Sequence, residues 1–237
     1  MLGLCKNESV TGILEKSISN EGITAEILEK FNPEVAFGEK ELVSMLFYLG
    51  YLTITSDQGG YANLSIPNRI MRELYSQYFL DVMAGDKDFE KSINYAEIWK
   101  EISTQGKIDI LTGVAHKYLN NLSNRDYVKF DEKYIKLVFF CLAMNLRDYS
   151  VKSEPEVNRK YPDLLLVPRD REKKYQAVMI EFKYLKANEE DRLLEMKDVA
   201  KKQILEYSNF DDIKDINGLH KYTIVAVNDN LFVDEIF

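Results

Sequence analysis

Two apolar runs, Leu164 to Val167 and Ala177 to Ile180, flank a charged connection, Arg169 to Lys174. This pattern predicts a buried β-hairpin. Three charges interrupt it where a core strand should be apolar: Asp163, Glu181 and Lys183. Side chains alternate faces along a strand. Glu181 and Lys183 therefore share one face, and Val178, Ile180 and Phe182 take the other. Asp163 opens the neighbouring strand. Two carboxylates and an amine are thus expected to converge at one end of the hairpin.

The pattern upstream is mainly helical. Ser9-Val10-Thr11-Gly12 starts one short helix, and Ile23 to Phe31 reads as another, ended by Asn32-Pro33. Lys40 to Tyr51 is amphipathic, with a glycine near its end. Leu52 to Thr55 reads as a strand, Asp57 to Gly60 as a turn and Tyr61 to Ile66 as a second strand. Asn68 then begins the helix NRIMRELYSQYFLDVM. Helix, hairpin, helix is the outline of a winged-helix-like unit. Its first helix offers few basic residues for phosphate contacts, so a packing module fits it better than a DNA reader.

Ile93 to Ile102 and Ile108 to Leu122 are helical around Trp99 and Leu111. Ala84-Gly85-Asp86 marks a joint, which divides the chain into 1–86 and 87–237. Asp131 to Arg147 predicts a long buried helix with Glu132 in its first turn, where a carboxylate favours the helix dipole. Ser150 to Val157 reads as a strand. Asn188 to Tyr207 reads as an amphipathic helix on which Val199, Gln203 and Tyr207 share a face. Tyr222 to Val227 is a buried strand, and the tail, Leu231 to Phe237, is expected to pack or fray.

Composition narrows the function classes. The 237 residues are 46% hydrophobic and 30% charged, which is ordinary for a globular protein. No run approaches the roughly 20 apolar residues of a membrane span, and the N-terminus carries no leader pattern. No membrane association is expected. Cys5 and Cys141 predict no disulfide framework, so a reducing cytoplasm is the expected setting. His116 and His220 lack zinc-ligand spacing. The net charge of −8 argues against a nucleic-acid binder driven by overall charge, although local patches decide. Lys160, Arg169, Arg171, Lys173 and Lys174 surround the hairpin, and Lys197, Lys201 and Lys202 follow on a helix. Both groups read as solvated faces.

The carboxylate–amine constellation has a chemical use. Mg²⁺ takes oxygen ligands and is commonly held by one or two carboxylates plus substrate phosphate and water. A lysine beside it can orient an attacking water or stabilise charge developing on phosphate. A solvated ion pair at a strand end is the bland alternative.

Pro162-Asp163, a gap, then Glu181-Phe182-Lys183 closely resembles the signature of the PD-(D/E)XK nuclease superfamily. The wider text, YSVKSEPEVNRKYPD, DLLLVP, VMIEFKYLK and KQILEY, resembles the C-terminal part of bacterial AAA-ATPase-like proteins, once catalogued as a domain of unknown function. The resemblance implies an α/β fold with a restriction-endonuclease-like αβββαβ core, behind the winged-helix-like module. It implies Mg²⁺ (or Mn²⁺) held by Asp163 and Glu181, with Glu132 or Glu156 assisting. It implies catalysis by Lys183, with Gln203 facing the site, and DNA as substrate. Relatives carry a His four residues after the helix glutamate, where this chain has Lys136. The glycines that relatives place before the motif aspartate are missing from PEVNRKYPD, where Arg159 or Lys160 stands in for the usual basic residue.

No GxxxxGK[ST] phosphate loop occurs. No ATP binding is expected of these residues, and an ATPase domain or partner would come from elsewhere in a longer architecture. The rival reading is a catalytically inactive nuclease fold that binds DNA or a protein partner. The acidic charge and the missing glycines favour that rival.

Overall fold

The computed structural model describes residues 13, 16–18, 22–30, 38–84, 89, 91–120, 131–152, 162–170 and 172–237. The chain forms two units, Met1–Phe79 and Leu80–Phe237.

In the first unit, β1 (Ile23–Ala25), α1 (Glu39–Tyr48), β2 (Thr53–Gln58), β3 (Tyr61–Ser65) and the start of α2 (Arg69–Ala84) follow in order. The expected helix–hairpin–helix outline is present. Glu41 Oε2 accepts from the Gly38 N–H at 3.0 Å and starts α1. The hairpin turns on Gly59-Gly60 alone, with φ of 62° and 87°. Two positive φ values suit a two-residue turn whose twist matches the strands, so pairing extends to Gln58↔Tyr61, beyond the expected turn boundary. Ile23 to Ala25, expected to be helical, is instead a strand antiparallel to β3, giving the order β1-β3-β2. Burial decides this: Ile23 joins Val43, Leu46, Leu52, Ala62 and Leu64 in one core. The expected helix start at Ser9 to Gly12 lies outside the described residues.

The second unit holds α3 (Tyr95–Gln105), α4 (Asp109–Asn120), α5 (Glu132–Met144), β4 (Tyr149–Lys152), β5 (Leu164–Pro168) and β6 (Ala177–Leu185). A 3₁₀ turn (Ala187–Arg192), α6 (Leu193–Tyr207), α7 (Asp211–Lys214), β7 (Leu219–Val227) and β8 (Asn230–Ile236) complete it. The order helix, three strands, helix, strand is the αβββαβ core expected of a restriction-endonuclease-like fold. The five strands run β4-β5-β6-β7-β8. Among the described strands, only β6 and β7 pair in parallel, because α6 crosses over between them. The last residues, expected to pack or fray, form β8 antiparallel to β7, from Val227↔Asn230 to Lys221↔Ile236. The expected helix from Asn188 begins as a 3₁₀ turn instead: Glu189 Oε2 accepts from the Lys186 N–H at 3.2 Å and turns the acidic run NEED before α6 starts. The joint at Gly85-Asp86 lies outside the described residues.

Helices cover both sheet faces. Phe182 meets Phe139 of α5 with ring centroids 5.0 Å apart. From the opposite side, Ile204 and Tyr207 of α6 pack with Leu165 and Met179. Every residue from Val138 to Met144 is buried, as an all-round apolar helix requires. Cys141 is buried within this helix. Among the described residues, no helix is long and apolar enough to cross a membrane.

Candidate active site

The β5–β6 register builds the site. Leu164 pairs with Ile180, so the next pair outward is Asp163 and Glu181. Like charges directly opposite are unfavourable in a sheet and demand compensation. Asp163 Oδ2 accepts from the Phe182 N–H at 2.8 Å, and its Oδ1 takes the Lys136 ammonium at 2.6 Å. Glu181 Oε1 takes the Lys183 ammonium at 2.8 Å, on the same strand face as alternation predicts. Lys183 Nζ also donates to the Phe182 carbonyl at 2.9 Å.

Burial makes these contacts consequential. Asp163 is 6% exposed and Glu181 2% exposed. Glu181 Oε2 is buried with no hydrogen-bond partner. Burial pushes the Glu181 carboxyl up to about 7, and the Asp163 charge pushes the same way, while Lys183 opposes both. Burial also raises the Asp163 carboxyl above its ordinary value, against the pull of Lys136 and the Phe182 N–H. On Lys136, burial works against the ammonium. The Asp163 and Glu132 carboxylates outweigh it and hold the group above its ordinary value.

Glu132 enters through Lys136. Asp131 caps α5, its side chain accepting from the Lys133 N–H at 3.0 Å and the Tyr134 N–H at 3.4 Å. That cap places Glu132 in the first turn and Lys136 one turn later. Lys136 Nζ lies 2.8 Å from Glu132 Oε1, so one ammonium ties α5 to the strand entrance. In sequence, Lys136 stands only where relatives carry a histidine, with no role of its own. Its signal was the Glu-x-x-x-Lys spacing, which pairs on a helix face.

Gln203 sits on the sheet-facing side of α6, between buried Ala200 and Tyr207. Its Oε1 is buried and unpartnered, like Glu181 Oε2. Tyr207 lies within the same electrostatic field. Its phenol is pushed up to about 12, by burial first and then by the Glu181 and Asp163 charges. Thr223, buried beside Glu181 in the parallel register, completes this row of the sheet. Glu156, Arg159 and Lys160 lie outside the described residues.

Among the described residues, no three carboxylate, imidazole or thiol groups converge as a metal site. The acidic core is the pair Asp163 and Glu181. Hard oxygen donors with one buried carboxylate oxygen unsatisfied fit Mg²⁺ or Mn²⁺, which need few protein ligands when substrate supplies the rest. Lys173 stands over the Tyr175 ring, and Lys197 pairs with Asp234 at 2.9 Å. Lys201 and Lys202 are exposed on α6.

Residues 130–236 match the family model of the PD-(D/E)XK nuclease superfamily. The matched segment runs from the start of α5 to the end of β8 and contains every described residue of the site. No curated protein matches the chain, and no solved structure does. The superfamily match agrees with the Asp163…Glu181-x-Lys183 pattern and with a nuclease-like segment built on the mixed sheet.

Proposed function

We propose that the second unit is a divalent-metal-dependent phosphodiester hydrolase acting on DNA. The observation that carries this reading is the gathering of Asp163, Glu181 and Lys183 at one end of the β5–β6 pair, with Lys183 on Glu181 Oε1 and Glu181 Oε2 buried without a partner. Asp163 and Glu181 would hold Mg²⁺ or Mn²⁺, with Glu132 or Glu156 assisting. Such an ion supplies Lewis acidity at a phosphoryl oxygen and makes its bound water a better nucleophile.

The chain's own groups have distinct tasks. Lys183, anchored on Glu181, places a positive charge where negative charge develops on phosphate. The Phe182 N–H holds Asp163 in one rotamer, which fixes donor geometry before substrate arrives. Gln203 offers a buried amide to orient water or phosphate. Lys201 and Lys202 on α6 supply exposed positive charge for a DNA backbone, despite the net charge of −8. An ATPase domain or a protein partner is its proposed associate, and no ATP binding is proposed for this chain. We propose a cytoplasmic setting, in which a thiol such as Cys141 stays reduced.

A second reading is a nuclease-fold binding or regulatory module without catalysis. It is supported by one observation, the Lys136 ammonium already seated on Asp163 Oδ1.

Calorimetric titration with Mg²⁺ and Mn²⁺, beside cleavage of single- and double-stranded DNA, separates the two. Metal binding plus cleavage lost in Lys183→Ala establishes the hydrolase. Metal binding without cleavage favours the regulatory module. No metal binding at millimolar concentrations ends the catalytic reading for this chain.

A further inference from the structure

We infer that Lys136 is a tethered cation that competes with a divalent cation for Asp163 and must leave its Oδ1 before that cation can load. The inference rests on the metal-dependent reading above and adds a competitor within the chain to it.

The contacts define the competition. Both Asp163 oxygens carry partners: Oδ2 the Phe182 N–H at 2.8 Å and Oδ1 the Lys136 ammonium at 2.6 Å. The Phe182 donor is neutral backbone and leaves the carboxylate charge available. The Lys136 donor is a full positive charge at contact distance. A dication bound by the same carboxylate would face that charge in a nearly dry site, where screening is weak. The two cations therefore exclude each other at Asp163 Oδ1. Glu181 Oε2, buried without a partner, marks the acceptor that the ammonium does not reach.

The structure also provides a resting place for the displaced group. Lys136 Nζ is already 2.8 Å from Glu132 Oε1, and the Glu132 side chain is 34% exposed against 8% for Asp163. The ammonium can release the buried carboxylate and keep the half-exposed one, so that Glu132 stays with Lys136 and the assisting metal role falls to Glu156. A flexible four-carbon stem allows that swing. Glu132 and Lys136 sit one turn apart on α5, so the exchange needs no movement of the helix. Charge balance favours the arrangement. Asp163, Glu181 and Glu132 face Lys136 and Lys183 in one cluster, and without Lys136 the buried carboxylates would repel across the strand pair.

The test is calorimetric titration of the whole chain with Mn²⁺, for the native protein, Lys136→Met and Lys136→Gln, with melting temperatures of each before and after addition. Met removes the charge and keeps the stem. Gln keeps a donor for Asp163 Oδ1 and answers the question if the Met variant does not fold. Tethered exchange predicts Mn²⁺ affinity at least about tenfold tighter in both variants than in the native chain. It also predicts a lower metal-free melting temperature for Lys136→Met, with a larger rise on adding Mn²⁺ than the native protein shows. Equal affinity in all three proteins overturns the exchange and leaves the metal site standing. Weaker affinity in the variants overturns it too, by making Lys136 an aid to metal binding. No Mn²⁺ binding by any of the three at millimolar concentration overturns the metal-dependent reading itself, and the exchange with it.

Discussion

The Phe182 N–H donates to Asp163 Oδ2 at 2.8 Å. This bond pins a carboxylate at the mouth of β5 to the backbone of β6, between Glu181 and Lys183. A strand residue whose own side chain is buried in the opposite face thereby positions the acidic pair. The amide is donated sideways to a carboxylate at the point where the β5–β6 ladder ends, so the first unpaired edge position becomes part of the site.

Asp163→Ala removes the acceptor of both the Phe182 N–H and the Lys136 ammonium. Breaking a buried pair from one side costs about 3–5 kcal/mol. Asp163→Asn keeps an acceptor for the amide and is expected to cost less, while weakening metal binding as severely. Urea unfolding of the metal-free proteins measures the difference. A loss below about 1 kcal/mol for Asp163→Ala would mean that the two donors find other acceptors.

Glu181 makes stability depend on pH. Its folded pKa is about 7, above the ordinary 4.5, chiefly through burial. The folded state therefore holds this proton more tightly than the unfolded chain. Stability relative to the protonated form is fully present below about pH 4.5 and is lost as pH rises through 7. Asp163, raised by burial as well, acts in the same direction. The metal-free protein should melt at a lower temperature at pH 8 than at pH 6, by on the order of 1–3 kcal/mol in stability. Glu181→Gln should flatten that slope. An unchanged slope in the variant would assign the pH dependence to other groups.

Phe182 is fully buried against Phe139. Phe182→Ala should destabilise the second unit by about 3–5 kcal/mol through lost burial and the cavity left behind. Phe182→Leu should cost less than half as much. Because the amide at this position holds Asp163, the Ala variant should also lose metal affinity, read by calorimetry at a temperature where it remains folded. Full metal affinity in a destabilised variant would separate the packing role from the positioning role.

Gly106 ends α3 with φ of 68°. A Cβ there would overlap the His220 imidazole, which is held on Glu235 Oε1 at 3.0 Å. Gly106→Ala must pay the left-handed backbone penalty and displace that ring, so a loss above about 2 kcal/mol is expected. Denaturant unfolding checks it. A neutral result would mean that His220 swings aside freely.

The sequence already carried the hairpin and its chemistry. Alternation put Glu181 and Lys183 on one face and Phe182 on the other, and the structure has Lys183 on Glu181 and Phe182 on Phe139. It also carried the buried α5 with Glu132 in its first turn and the helix that presents Gln203. Local periodicity determines which face a side chain takes, and these features are all local. The strand at Ile23 and the final strand β8 were not legible in this way. Short segments of three and seven residues have weak patterns of their own, and a neighbouring sheet edge chooses their state.

Only the tertiary structure decided which groups compensate the acidic pair. Lys136 meets Asp163 because α5 packs on the same sheet end at which the β5–β6 register places the carboxylate. No spacing in the chain encodes that meeting. The residue types and their faces follow from helix and strand periods, which act over a few residues. The partner of a buried charge is selected by packing across elements distant in sequence, where register, helix placement and desolvation act together.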